Sequence, residues 1–143
     1  MIGYLDTSAF VPIIIDEPTS EATRQFWLYA DAVVSSRLLV VETAAALAAA
    51  RRSGRLTADG YRRAQAIANR LQKEFDIVVP DENVVDRAAQ LTQAHALRPY
   101  DAIHCASAEA IGDQDLVAAA GDRQLLAAWS ALGIVTFDPS EGL

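Results

Sequence analysis

The chain has 143 residues, of which 52% are hydrophobic and 22% charged, and its formal net charge is −7. This length suits a single domain over residues 1–143, and the composition excludes a disordered chain, which needs low hydrophobicity and high charge. The acidic balance opposes long-range attraction to a polyanion unless basic residues gather on one face.

Five short apolar segments predict β-strands separated by helical segments. The first strand is stopped by the polar cluster Asp6-Thr7-Ser8, which marks a helix N-terminus. The predicted strands are residues 2–6, 32–35, 77–79, 116–120 and 134–137. The predicted helices after the first are residues 20–30, 37–52, 57–75, 82–96, 98–112 and 122–132. Ser35 or Ser36 can cap the second of these helices, and Pro99 suits a first helical turn.

Strands that alternate with helices imply right-handed crossovers and a parallel sheet covered on both faces. The sequence therefore predicts a three-layer α/β/α sandwich with a central parallel sheet of four to five strands. In such a sheet, ligands bind outside the carboxyl ends of the strands, so the residues that follow the strands are the candidates for a functional site.

The sequence predicts a cytoplasmic protein. No apolar run approaches the roughly 18 residues that span a bilayer, and residues 1–5 lack the basic start of a signal peptide. The single cysteine, Cys105, cannot form an internal disulfide, which agrees with a reducing compartment.

Four acidic residues are candidates for a shared site. Asp6 and Asp122 follow the first and fourth predicted strands, Asp101 lies in the first turn of a helix, and Glu42 lies in a run without other charges. Each aspartate also fits a helix-capping role, and Glu42 also fits a buried glutamate satisfied by a partner. Together, however, four converging carboxylates would repel one another unless a cation stabilised them, and hard oxygen ligands suit Mg²⁺ or Mn²⁺.

The two histidines do not have the spacing of a zinc site. His104 lies one helical turn after Asp101 and could orient it, although an ordinary, partly buried histidine is the favoured interpretation. Cys105, in the same helix, is expected in the core. Eleven of the twelve basic residues are arginines, which suit phosphate binding. Several of these arginines are close in sequence, namely Arg51, Arg52, Arg55, Arg62 and Arg63. A phosphate-binding site and a solvated helix face explain this cluster equally well.

Four motifs follow one another along the chain: YLDTSAF at residues 4–10, Glu42 in an alanine-rich helix, YDAIHCASA at residues 100–108 and GDRQL at residues 121–125. Their order and spacing resemble PIN domains, and the compact length and Leu-Asp-Thr-Ser opening resemble the VapC-type toxins of toxin–antitoxin pairs. One departure is Ala120, where many relatives carry Thr or Ser two positions before the last acid.

The resemblance implies an RNA-cleaving enzyme that depends on Mg²⁺ or Mn²⁺, forms a homodimer and is inhibited by a cognate antitoxin. It implies that the catalytic and metal-binding residues are Asp6, Glu42, Asp101 and Asp122. A hydroxyl of Thr7 or Ser8 would support them. Arginines near the groove would hold RNA phosphates, and the candidates are Arg51, Arg52, Arg55 and Arg123.

Two alternatives are open at this stage. An aspartate after the first strand also begins phosphatases that use an aspartyl nucleophile, but those enzymes usually carry a second aspartate where this chain has Ser8. The second alternative is a non-catalytic PIN-like module that binds RNA or protein, and the presence of all four acids argues against it. The apolar residues Phe26, Trp27 and Tyr29 suit either an interface or, preferably, the core.

Overall fold

The computed structural model describes residues 1–142, so the last residue of the predicted domain, Leu143, lies outside the described residues. Its five strands are β1 (Ile2–Leu5), β2 (Ala32–Ser36), β3 (Asp76–Val78), β4 (Leu116–Ala119) and β5 (Val135–Phe137). They form one sheet in the order β3-β2-β1-β4-β5, and every neighbouring pair is parallel. The predicted parallel sheet is confirmed.

Seven helices connect these strands within residues 1–142. They are α1 (Thr7–Ile14), α2 (Ser20–Tyr29), α3 (Leu38–Arg52), α4 (Ala58–Gln72), α5 (Glu82–Ala94), α6 (Pro99–Ile111) and α7 (Arg123–Ala131). The predicted helices are all present, with ends that differ by up to three residues. The helix expected over residues 57–75 spans Ala58–Gln72. It starts one residue later because Thr57 is its N-cap and accepts a hydrogen bond from the Gly60 amide, and it ends three residues earlier, with Lys73 as its C-cap. No helix among residues 1–142 is long and apolar enough to cross a membrane.

The sheet separates two apolar cores, which makes the three-layer sandwich. Successive strand residues face opposite sides, so Tyr4 packs in the core under α5, α6 and α7, whereas Leu5 packs in the core under α1 to α4. Helix α2 approaches β1 closely, since a side chain on Gly3 would lie 3.0 Å from the ring of Phe26.

The apolar segment in α2 is divided between core and surface. Phe26 is fully buried and stacks on Phe137, and Trp27 packs edge-on against Phe75. Tyr29, by contrast, is 69% exposed. The preferred core interpretation therefore holds for Phe26 and Trp27 but is wrong for Tyr29, because Tyr29 is the last residue of α2 and lies on its outer side.

The strand order places a crevice between β1 and β4. The chain runs outward from β1 through β2 to β3, and then returns to the other side of β1 to form β4 and β5. The connections from β1 and from β4 therefore leave the sheet in opposite directions at its carboxyl edge. Ligands bind at this switch point in sheets of this kind.

Candidate active site

Two of the predicted acids lie at the switch point. Asp6 follows β1 and caps α1, and Asp122 follows β4 after Gly121 and caps α7. Ser8 joins the two connections, because its hydroxyl donates to Asp6 Oδ2 at 2.6 Å and accepts from the Gly121 amide at 2.7 Å. The neighbouring strands and this serine hold the two acids at one edge.

Asp6 is a buried carboxylate, with 5% of the residue exposed. Its Oδ2 also accepts from the Ser8 amide at 3.2 Å, which is the capping bond of α1. Its Oδ1 faces His104 Nε2 at 3.4 Å. Asp6 therefore fills the helix-capping role and still presents an oxygen to the interior of the site.

Glu42 reaches the same site from α3. Its Oε1 accepts from Thr7 Oγ1 at 3.0 Å and lies 2.6 Å from His104 Nε2. The side chain is 23% exposed. These two partners offset the cost of placing a carboxylate in an otherwise apolar helical segment.

His104 is the residue whose role was misjudged from the sequence. The structure buries it fully, and its two ring nitrogens contact Tyr4 and Glu42. Nδ1 lies 2.8 Å from the Tyr4 hydroxyl. The expected partly buried histidine was wrong because α6 packs directly against the sheet, so the turn after Asp101 faces inward.

The buried groups around His104 form a coupled charge system. Burial lowers the pKa of His104, but the hydrogen bond to Glu42 and the charges of Asp6, Glu42 and Asp101 outweigh it and raise the net pKa above 6.5. Burial alone would raise the pKa of Glu42, yet the bonds from His104 and Thr7 lower it below 4.5. The imidazolium form of His104 and the carboxylate form of Glu42 therefore stabilise each other.

Asp101 and Asp122 form an outer pair bridged by an arginine. Arg98 Nε donates to Asp101 Oδ2 at 2.9 Å, and its NH2 group donates to Asp122 Oδ2 at 3.1 Å. The other oxygen of Asp122 accepts from the amides of Gln124 and Leu125, which caps α7. The Arg98 side chain is 75% exposed. An Arg three residues before Asp101 is visible in the sequence, but this bridge was not predicted.

The four acids are thus linked in two pairs. His104 lies between Asp6 and Glu42, and Arg98 lies between Asp101 and Asp122. One acid of each pair, Glu42 and Asp101, lines a common cleft. Among residues 1–142, no three acidic, histidine or cysteine side chains are arranged to hold a metal ion as they stand. The donor chemistry fits Mg²⁺ or Mn²⁺, because aspartate and glutamate oxygens are the hard ligands that these ions prefer.

The arginines predicted to bind RNA do not gather around the acids. Arg51 and Arg52 lie at the far end of α3, about 15 Å along the helix from Glu42. Arg55 follows them and contacts Glu17 at 3.4 Å. Arg123 is exposed and follows Asp122 directly. The arginine that contacts the acids is Arg98, which the sequence analysis did not select.

Known proteins are similar to this chain over most of its length. Residues 3–130 match the PIN domain family. The chain is 41% identical to ribonuclease VapC45 of Mycobacterium tuberculosis over 122 residues, or 85% of each protein. It is 35% identical to ribonuclease VapC46 of the same species over 142 residues, covering 96% of this chain and 97% of the relative.

The fold itself is shared with solved structures. The crystal structure of M. tuberculosis VapC20, described as a sarcin-ricin loop cleaving toxin, superposes with a TM-score of 0.68. The match covers 93% of this chain and 96% of the other at 22% identity. At that identity, the likeness shows the arrangement of the strands and helices alone.

Proposed function

This chain belongs to the PIN-domain family, and from that premise we propose that it is a divalent-metal-dependent endoribonuclease acting in the cytoplasm as the toxin of a type II toxin–antitoxin pair. Its 41% identity to a protein named ribonuclease VapC45 supports the activity. The observation that supports the proposal is the pairing of Glu42 with Asp6 through His104 and of Asp101 with Asp122 through Arg98, with Asp6 and Asp122 at the switch point of the sheet.

We propose that Asp6, Glu42 and Asp101 hold Mg²⁺ or Mn²⁺, with Asp122 supporting a second ion or the attacking water. The bound cation would polarise the scissile phosphate and lower the pKa of water. Thr7 and Ser8 hold the Glu42 and Asp6 carboxylates in place through their hydroxyls. Arg98 is exposed enough to leave Asp101 when a cation competes for that carboxylate.

The reaction that follows is hydrolysis of an RNA phosphodiester. A water oxygen forms a bond to phosphorus, the bond from phosphorus to the 3′ oxygen breaks, and a proton passes to that leaving oxygen. The products carry a 5′-phosphate and a 3′-hydroxyl. The carboxylates of the site accept the proton that the water loses.

The proposed partners follow from the charge of the site. An inhibitor that enters an acidic cleft presents arginine or lysine to it, so we propose an antitoxin with a basic segment that displaces Arg98 from Asp101 and Asp122. We also propose that the chain works as a homodimer, as the resemblance to VapC-type toxins implies.

The test is cleavage of single-stranded RNA by the purified protein and two variants. Asp6→Asn and Asp101→Asn should each lower the cleavage rate by at least about 100-fold while leaving the circular dichroism spectrum unchanged, since each removes a proposed metal ligand. Asp86→Asn, an exposed acid on α5, is the matched control and should cleave normally. EDTA should abolish cleavage by the wild-type protein.

Full activity in Asp101→Asn would contradict the assignment of that residue. RNA binding without cleavage by the wild-type protein, in either Mg²⁺ or Mn²⁺, would instead support the alternative of a non-catalytic PIN-like module. Products that carry a 2′,3′-cyclic phosphate would contradict attack by water.

A further inference from the structure

One exposed aromatic residue lies on the rim of the acid site. Tyr100 is 63% exposed although tyrosine is an amphipathic residue that usually buries much of its ring. Among residues 1–142, the other large aromatic side chain with comparable exposure is Tyr29. Tyr29 ends α2 just before the start of β2, at the amino edge of the sheet, so it lies on the opposite side of the molecule from the acids.

Tyr100 lines a cleft that opens onto the acids. The cleft has a volume of about 540 Å³, which is in the range of small-ligand sites. Its lining residues are Glu42, Arg98, Pro99, Tyr100 and Asp101. Two of the proposed catalytic carboxylates therefore share one wall with an aromatic ring and a rigid pyrrolidine ring.

Arg98 supplies the positive charge that a polyanion needs here. The protein as a whole carries a net charge of −7. Arg98 neutralises part of the acidity at the cleft by bridging Asp101 and Asp122, and its guanidinium stays largely in solvent. An exposed guanidinium beside an exposed ring is the combination that binds a phosphate together with an unpaired base.

We propose that this cleft is a nucleotide-binding subsite, in which Tyr100 stacks on an unpaired base of the RNA and Arg98 contacts the adjoining phosphate. The inference deepens the proposed function and rests on it, since it places that nucleotide next to the scissile bond. Stacking on a ring requires a base that is not already stacked in a duplex, and it tolerates any base. The subsite therefore selects single-stranded RNA without selecting a sequence.

The test measures binding of a fluorescently labelled single-stranded RNA by anisotropy, in EDTA so that no cleavage occurs. Tyr100→Ala should weaken binding about tenfold, because one base loses its stacking partner. Tyr100→Phe keeps the ring and should bind within about twofold of wild type. Tyr29→Ala is the matched control, as an equally exposed tyrosine at the opposite edge, and should bind normally. A duplex of the same sequence should bind wild type and Tyr100→Ala alike.

Unchanged binding in Tyr100→Ala would overturn the proposal, and so would equal losses in Tyr100→Ala and Tyr100→Phe, since these would implicate the hydroxyl instead of the ring. A change in the size-exclusion elution of Tyr100→Ala would also overturn it, because Tyr100 would then lie in a subunit interface.

Cleavage kinetics separate this inference from the proposed function. In Mn²⁺, Tyr100→Ala should raise KM about tenfold with a smaller change in kcat. If the enzyme is active and Tyr100→Ala leaves its KM unchanged, the subsite is rejected but the ribonuclease activity stands. If RNA binding depends on the Tyr100 ring but the wild-type protein never cleaves RNA, the ribonuclease activity is rejected and the subsite is supported.

Discussion

The inner and outer halves of the acid site are held together in different ways. In the inner half, Asp6 and Glu42 share His104, a side chain with no exposed surface. In the outer half, Asp101 and Asp122 share Arg98, whose side chain is 75% exposed. The acids of the two halves are similarly buried. The side chains of Asp6 and Glu42 are 7% and 23% exposed, and those of Asp101 and Asp122 are 13% and 22% exposed. The difference therefore lies in the bridging cation.

This difference indicates which half is fixed and which can adapt. A buried ion pair with several hydrogen bonds is costly to break by removing one partner, whereas an exposed pair contributes little because water and salt screen it. His104 also contacts the Tyr4 hydroxyl and has no exposed surface, so we expect the inner acids to keep their arrangement. Because Arg98 is exposed, we expect it to be able to exchange its carboxylates for a phosphate, as the proposed function requires, which would leave the outer acids to a metal ion or an inhibitor.

The largest expected effect comes from breaking the inner half. His104→Ala should lower the free energy of unfolding by about 3 kcal/mol, because Glu42 and Asp6 would lose their buried cation. Urea denaturation of the metal-free protein measures this loss. His104→Gln, which keeps a hydrogen-bond donor, should lose less. A loss below about 1 kcal/mol in His104→Ala would contradict a fixed inner half.

The pH dependence of the stability lost on replacing His104 tests whether the loss comes from the pairing of His104 with Glu42. The pKa of Glu42 is lowered by folding, so its contribution to stability is present above pH 4.5 and disappears as the pH falls through the pKa of the folded protein. The pKa of His104 is raised, so its contribution is full below 6.5 and disappears as the pH rises through its folded value. The deficit of His104→Gln should therefore be largest between about pH 4.5 and 6.5. The loss of stability should shrink as the pH rises through the folded pKa of His104.

A smaller effect is expected from breaking the outer half. Arg98→Ala should lower the free energy of unfolding much less than His104→Ala does, since its ion pairs are exposed to water and salt. Thermal melting at low and at high salt measures this change. A loss as large as that of His104→Ala would remove the distinction between the halves. Arg62→Ala, which breaks the exposed pair with Asp59, is the matched control.

The fold was predictable because its signals are local. Short apolar strands, the polar cluster Asp6-Thr7-Ser8 after the first strand and Pro99 in a first turn each determine structure within a few residues, and the alternation of strands and helices then restricts the topology. Asp6 and Asp122 could be predicted at one edge for the same reason. The ends of helices were less predictable, because capping by a particular side chain decides them.

The bridging cations were not predictable from these signals. The bond between His104 and Glu42 joins residues 62 positions apart, and that between Tyr4 and His104 joins residues 100 apart. Such pairs depend on how α6 packs against the sheet. The cluster of Arg51, Arg52 and Arg55 is more conspicuous in the sequence than Arg98, which has no basic neighbour. Arg98 is nevertheless the arginine that contacts Asp101 and Asp122.

The central claim is that acids from both halves bind one divalent cation, and calorimetric titration of Mn²⁺ into the purified protein tests it most directly. Wild-type protein should show saturable binding, and Asp6→Asn from the inner half and Asp101→Asn from the outer half should each weaken it by at least about tenfold. Asp86→Asn should bind as wild type does. Wild-type affinity in both Asp6→Asn and Asp101→Asn would contradict a shared metal site.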